Sequence, residues 1–233
     1  MGKLQWDKLG ERIAEAGVDQ GVLYPFGTDA YNKGVAWNGL TSVNEAPTGG
    51  EPSPFYAGNR KYLELMSEEE YAGSIGCYTY PNEFQGCLGE VEIAPGMTIS
   101  QQTHKMFGFS YRTKIINDTN GLDHGFKIHI VYNALAGVSA KDHVTMNESP
   151  ELEEMSFDFT TTKVDVTNGK PTSHLVLNST KFTEANMSKL QEIMDKLYGK
   201  DAVVGTGTAE APEFPATEPT LLLPDEIAAI LNA

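Results

Sequence analysis

The chain has 233 residues, 40% hydrophobic and 21% charged, and its 32 acidic and 17 basic side chains leave a formal net charge of −15. That is enough apolar material to bury a core, which excludes a disordered or collagen-like polymer. The acidic balance also lacks the positive footprint that gripping nucleic-acid phosphates requires. No apolar run approaches the roughly 20 residues that cross a bilayer, and the opening MGKLQWDKLGERIAEAG holds no continuous apolar core of the signal-peptide kind. A chain made in the cytoplasm, with no membrane segment, is expected. Cys77 and Cys87 are the only cysteines; they fit no zinc or redox spacing and are expected to be reduced thiols.

Within residues 1–20, Trp6, Leu9, Ile13 and Ala16 recur at helix-like steps, while Gly10 and Gly17 count against a helix. The segment is expected to be an arm or a short helix. Strands follow at VLYPF (Val22 to Phe26) and GVAWNGLTSV (Gly34 to Val43), where β-branched and aromatic residues lie between glycines. From Asn44 to Gly58 the residues Pro47, Gly49, Gly50, Pro52 and Pro54 remove backbone donors and favour turns, so a long exposed loop and a contact surface are expected. Strands at YLELM and SIGCYTY then flank the acidic Glu68, Glu69 and Glu70, with a turn at Pro81 and Asn82.

The sharpest local pattern is KMFGFSYRTKII (Lys105 to Ile116) and GFKIHIVYNAL (Gly125 to Leu135), joined through Asn120-Gly121. Asn-Gly between alternating runs is a strong hairpin signal. Period-two alternation puts Phe107, Phe109, Tyr111 and Ile115 on one face of the first strand and Phe126, Ile128, Ile130 and Tyr132 on one face of the second. With that face as core, Arg112, Lys114, Lys127 and His129 form a basic stripe on the opposite one. EMSFDFTTTKVDV (Glu154 to Val166) sets Met155, Phe157 and Phe159 against Ser156, Asp158, Thr160 and Thr162, the pattern of a sheet wet on one side. Asn168-Gly169 turns it back into PTSHLVL.

Residues 182–198 read as a helix: Thr183 is placed to cap it, Met187, Leu190, Ile193, Met194 and Leu197 form an apolar stripe, and Gly199 ends it. Asp201 to Pro219 is linker-like in composition, and PDEIAAILNA closes the chain as a short helix with Pro224 in its first turn. The expected organisation is an N-terminal segment over 1–20, a β domain over 21–200, and a linker with a terminal helix over 201–233.

Catalytic chemistry does not emerge. The five histidines (His104, His124, His129, His143 and His174) lie on separate strands and turns, none in a recognised metal spacing. No P-loop or nucleophile elbow occurs, and Glu68 and Glu70 read as a solvated edge. The expectation is a non-enzyme with no cofactor and no metal. Trp6, Trp37 and the tyrosines leave a carbohydrate-binding β-sandwich module open as the alternative reading.

The wording GVAWNGLTSVNEAPTGGEPSPFYAGNRKYLELMSEEEYAGSIGCYTYPNEFQGCLG (Gly34 to Gly89), followed by EIAPGMTISQQTHKMFGFSYRTKIINDTNGLDHGFKIHIVYNALAG (Glu92 to Gly137), resembles the major tail proteins of bacteriophages with long, non-contractile tails. The resemblance runs from about Gly21 to Leu177 and rests on combined wording and order. It implies a tail tube protein: a mainly β, two-sheet β sandwich flanked by one α-helix, assembled into hexameric rings that stack as a hollow tube. The implied partners are copies of itself and other tail proteins, such as the tape measure and the tail terminator, in a virion assembled in the host bacterial cytoplasm. DNA is expected to pass through the lumen without tight binding. On that reading the Asn44 loop, with Pro47, Gly49, Gly50, Pro52 and Pro54, is the expected contact between stacked rings. Asp158, Thr160 and Thr162 are expected to face the lumen, and the stripe of Arg112, Lys114, Lys127 and His129 to meet acidic surface on a neighbouring subunit.

Overall fold

A strand, not a helix, follows the first dozen residues: β1 spans Ile13–Pro25. The helix-like spacing of Ile13 and Ala16 loses because Gly17 sits at φ +73° in a β-bulge between Ala16 and Val18, a conformation open to glycine that no helix contains. The computed structural model describes residues 3–145, 152–202 and 216–233, and most of the linker expected after Asp201 lies outside the described residues.

In chain order, β1 is followed by β2 (Val35–Ala36), β3 (Leu40–Glu45), β4 (Thr48–Gly49), β5 (Pro52–Ala57), β6 (Arg60–Met66), β7 (Glu69–Glu70) and β8 (Ala72–Cys77). A 3-10 helix over Asn82–Leu88 leads to the small ribbon of β9 (Val91–Ala94) and β10 (Met97–Ile99). Then come β11 (Phe107–Asn117), β12 (Gly121–Ala136), β13 (Met155–Thr161), β14 (His174–Asn178), helix α1 (Met187–Tyr198) and helix α2 (Pro224–Asn232). The protein is mainly β. Its large antiparallel sheet runs β2-β1-β11-β12-β13-β8-β3, with β14 also pairing β12.

The sheet curls so that its two halves face each other. Strand β12 is long enough to pair β14 through Lys127–Val131 and β13 through Ala134–Ala136 on the same edge. Between the halves lies the first core, where Leu23, Phe107, Phe109, Tyr111 and Val131 meet Ile75, Phe157 and Phe159, with Trp37 and Phe84 filling the gap. Strand β13 alternates as expected, Phe157 and Phe159 buried and Ser156, Asp158 and Thr160 exposed.

The β11–β12 hairpin forms where Asn-Gly marks it, and the Asn117 side chain closes the turn by accepting from the Thr119 and Asn120 amides at 3.2 and 2.5 Å. Register corrects the one-core expectation. Phe109 pairs Val131 and Tyr111 pairs His129, whereas Arg112 pairs Ile128 and Lys114 pairs Phe126. Directly opposed residues share a face, so the two apolar sets lie on opposite faces and both are covered.

The second core holds Val22, Tyr24, Ile128, Ile130 and Tyr132 under the apolar faces of the helices: Leu190, Ile193 and Leu197 of α1, Ile227 of α2, and Leu221 and Leu222 before it. Each such leucine or isoleucine contributes about 1.5–3 kcal/mol on burial. Two buried tyrosines satisfy the carbonyls this layer would strand: Tyr24 donates to Leu197 O at 2.7 Å, and Tyr132 donates to Leu222 O at 2.9 Å. Residues 216–233 thus belong to the main body, since α2 completes its core. Thr183 makes no side-chain capping bond; a 3-10 turn over Glu184–Asn186 precedes α1. At α2 the Leu223 amide donates to the Glu226 carboxylate at 2.8 Å. Among the described residues no helix is long and apolar enough to cross a membrane.

Candidate functional site

The segment expected to be a loop is a β-hairpin arm. Asn44 still belongs to β3, pairing Ser74. Beyond it Thr48 and Gly49 pair Glu70 and Glu69, and β5 pairs β6 from Pro52–Met66 to Ala57–Arg60. The tip is Gly58-Asn59, at φ +55° and +61°, the two left-handed positions of a type I′ turn, whose twist suits a two-stranded ribbon. Prolines misled because Pro52 and Pro54 lie in a ribbon with no third strand, where a missing amide on the outer side costs nothing.

Both strands of the arm are exposed throughout. Phe55, Tyr56, Tyr62, Leu63, Leu65 and Met66 are between 47% and 78% accessible, and single ribbons of this kind are marginal in water. Exposed apolar patches of this kind are characteristic of contact sites.

Two further surfaces accompany it. The outer edge of β1 pairs β2 only at Val22 and Leu23; among the described residues nothing pairs the edge over Ile13–Gln20. An unpaired edge is a template for another strand. The wet strand places Asp158, Thr160 and Thr162 in solvent.

The basic stripe does not exist as one surface. Arg112 and Lys114 lie on the helix-covered face, while Lys127 and His129 lie on the first-core face. Pairing within the chain also occupies three of the four. Arg112 donates to both carboxylate oxygens of Asp19, at 2.7 and 2.8 Å, and lies over the Phe126 ring. Lys127 pairs Glu15, and His129 is buried.

Hydrogen bonds from Arg112 hold the Asp19 carboxyl below its usual range. A folded-state pKa below the unfolded one adds stability that is complete above the unfolded value, 3.8, and is lost as pH falls through the folded value. Asp19→Asn therefore lowers stability by about 1 kcal/mol at pH 7, a modest figure because Asp19 still touches water. The gap to wild type narrows below pH 3.8; thermal melts at neutral and acid pH check it.

At the base of the arm the curled sheet gathers residues that sequence spacing kept apart. Glu45 from β3, His129 from β12 and His174 from β14 bring ligand-type atoms within 4.8 Å of one another. His129 Nδ1 is 3.3 Å from His174 Nε2 and 3.3 Å from Glu45 Oε1. Tyr111 donates to the Glu45 carboxylate at 2.7 Å. The rings of Tyr111 and His129 stack at 4.6 Å, as do those of His174 and Tyr71 at 4.3 Å. Burial lowers the pKa of both histidines, against the pull of Glu45. Partial burial works against the charge of Glu15, yet bonds from Lys127 and Thr113 hold its carboxyl below the usual range. No sequence motif marks this cluster, because only the β12–β14 register and the fold-back of β3 assemble it.

Cys77 and Cys87 are free and buried, and burial raises both thiols, Cys87 to about 12. Trp37, the strand tryptophan considered for stacking on sugars, is only 4% accessible. No protein-family model matches the chain, and no curated protein does.

Proposed function

We propose that the protein is a structural subunit that joins copies of itself into stacked hexameric rings, forming the tail tube of a bacteriophage with a long, non-contractile tail. The observation that carries this reading is the arm of β5 and β6, an apolar ribbon that finds no cover among the described residues of its own subunit. Burying it against a second copy supplies the third surface that an isolated hairpin needs. The unpaired edge over Ile13–Gln20 gives lateral neighbours a place to add a strand, and a closed ring satisfies every such edge at once.

The arm takes the ring-to-ring role, through Pro52, Pro54 and the aromatic residues that follow. Asp158, Thr160 and Thr162 supply an acidic and hydroxyl lining that repels DNA phosphates rather than holding them, so a genome slides. The paired charges of Arg112 and Lys127 lie within the subunit, which leaves Lys114 as the member of the expected basic group to meet acidic surface on a neighbour. The tape measure and tail terminator are the partners such a tube takes at its core and its end.

Negative-stain electron microscopy of the purified chain at high concentration tests the assignment. Rings with a central hole, alone or stacked, are the expected result. Dispersed monomers at all concentrations, with or without crowding agents, overturn it.

A further inference from the structure

We propose that Glu45, His129 and His174 form a site for one divalent transition metal ion of the zinc class, with Glu15 and Thr113 as its supporting groups. This site is independent of the assembly reading.

Donor type and spacing come first. Two imidazoles and one carboxylate are a known zinc donor set, with metal–ligand bonds of about 2.0–2.2 Å. Two donors at that distance around a tetrahedral centre stand roughly 3.3 Å apart. His129 Nδ1 lies 3.3 Å from His174 Nε2 and from Glu45 Oε1, so His129 already sits at ligand spacing from both companions.

The hydrogen-bond chain behind His129 decides its tautomer. The Thr113 hydroxyl donates to Glu15 Oε1 at 2.5 Å, because an ionised carboxylate only accepts. Thr113 Oγ1 therefore presents a lone pair to His129 Nε2, 3.1 Å away, and Nε2 is the nitrogen that carries the proton. Glu15 Oε1 lies 3.4 Å from the same Nε2, and the other oxygen of that carboxylate is held by Lys127. A histidine whose far N–H is turned toward a hydroxyl and carboxylate is the arrangement that supports a metal ligand. It leaves the Nδ1 lone pair facing the Glu45 carboxylate, an electron-rich contact that a cation between them relieves.

Tyr71 supplies a separate observation. Its hydroxyl is buried beside Glu45 and Tyr111 but makes a well-formed hydrogen bond to neither. Buried hydroxyls without partners are uncommon and call for an explanation. A water in the fourth metal position gives this hydroxyl its partner. The ring stacked on His174 is that of Tyr71, and the ring stacked on His129 is that of Tyr111, so both imidazoles are held in place before any ion arrives. A pocket of about 280 Å³ lined by Glu69, Tyr71, Lys163 and His174 gives the approach. The ion ties β3 at the root of the arm to β12 and β14, stiffening the point from which the arm projects.

The test uses the full chain, stripped with chelator, and Zn²⁺ or Co²⁺ as probe. Titration calorimetry is expected to show one Zn²⁺ per chain with low-micromolar or tighter affinity. Co²⁺ is expected to give the intense visible bands of tetrahedral coordination. At a free Zn²⁺ concentration 100 times the dissociation constant, the melting temperature rises by about 5–10 °C. Glu45→Gln and His174→Asn abolish the stoichiometric event, whereas His143→Gln, at an exposed histidine, keeps it. The Glu45→Gln change is at a partly exposed side chain and keeps the fold, with circular dichroism as the check. Absence of saturable binding, or binding that survives both substitutions, overturns the site and leaves a hydrogen-bonded imidazole pair.

Discussion

Excising Pro52 to Met66 and joining Glu51 to Ser67 through Asn-Gly is expected to leave a folded, soluble subunit that forms no tube. The excised residues carry no part of either core, and all are exposed. The new junction is geometrically ready, because the Ser67 amide already donates to Glu51 O at 3.1 Å, and two residues bridge such a pair in a type I′ turn. The melting temperature of the monomer therefore stays within a few degrees of wild type.

Assembly is the property that changes. Phe55, Tyr56, Tyr62, Leu63, Leu65 and Met66 leave with the arm, and at about 1.5–3 kcal/mol for each large apolar side chain buried, the gross loss per subunit is on the order of 10 kcal/mol. The proposed ring-to-ring contact is not expected to survive that. Electron microscopy and sedimentation of the shortened chain check it; tubes of ordinary length from this variant refute the ring-joining role of the arm.

Phe84→Ala is expected to destabilise the subunit by about 3–5 kcal/mol and to lower its melting temperature by roughly 10 °C. Phe84 is fully buried and its ring meets four others, those of Trp37 at 4.6 Å, Phe107 and Phe157 at 5.3 Å, and Tyr80 at 5.9 Å. It enters the first core from the 3-10 helix over Asn82–Leu88, wedged between the two halves of the sheet. Truncation leaves a cavity that strands on both sides cannot close, since each is pinned by its own ladder. Phe84→Leu costs about half as much. Calorimetric melts of the purified subunit measure both, and a loss under 1 kcal/mol for the alanine variant shows that the wedge is not part of the cooperative core.

The two variants separate two kinds of residue that the chain treats differently. Phe84 holds the subunit together, whereas the arm belongs to neither core among the described residues. The sequence pattern does not tell these apart, since both stretches are aromatic and both sit among prolines and glycines. The turn expected at Pro81 and Asn82 is the start of the wedge, and the residues after it looked unremarkable because a short 3-10 helix has too few positions to show a period.

What local pattern carries, the chain displayed openly. Asn120-Gly121 closes the β11–β12 hairpin, the alternation of β13 buries Phe157 and Phe159, and the stripe of Leu190, Ile193 and Leu197 makes α1. Each follows from interactions between residues a few positions apart, so each is written in adjacent letters. Contacts between distant segments are not. That Arg112 and Lys127 face opposite layers, that Glu45, His129 and His174 meet, and that the β5–β6 arm stands clear of the body all depend on strand register and on the curl that folds β3 back over β1. A shift of one residue in register reverses every face, and no stretch of sequence encodes that choice alone, because it is set by the packing of both cores at once.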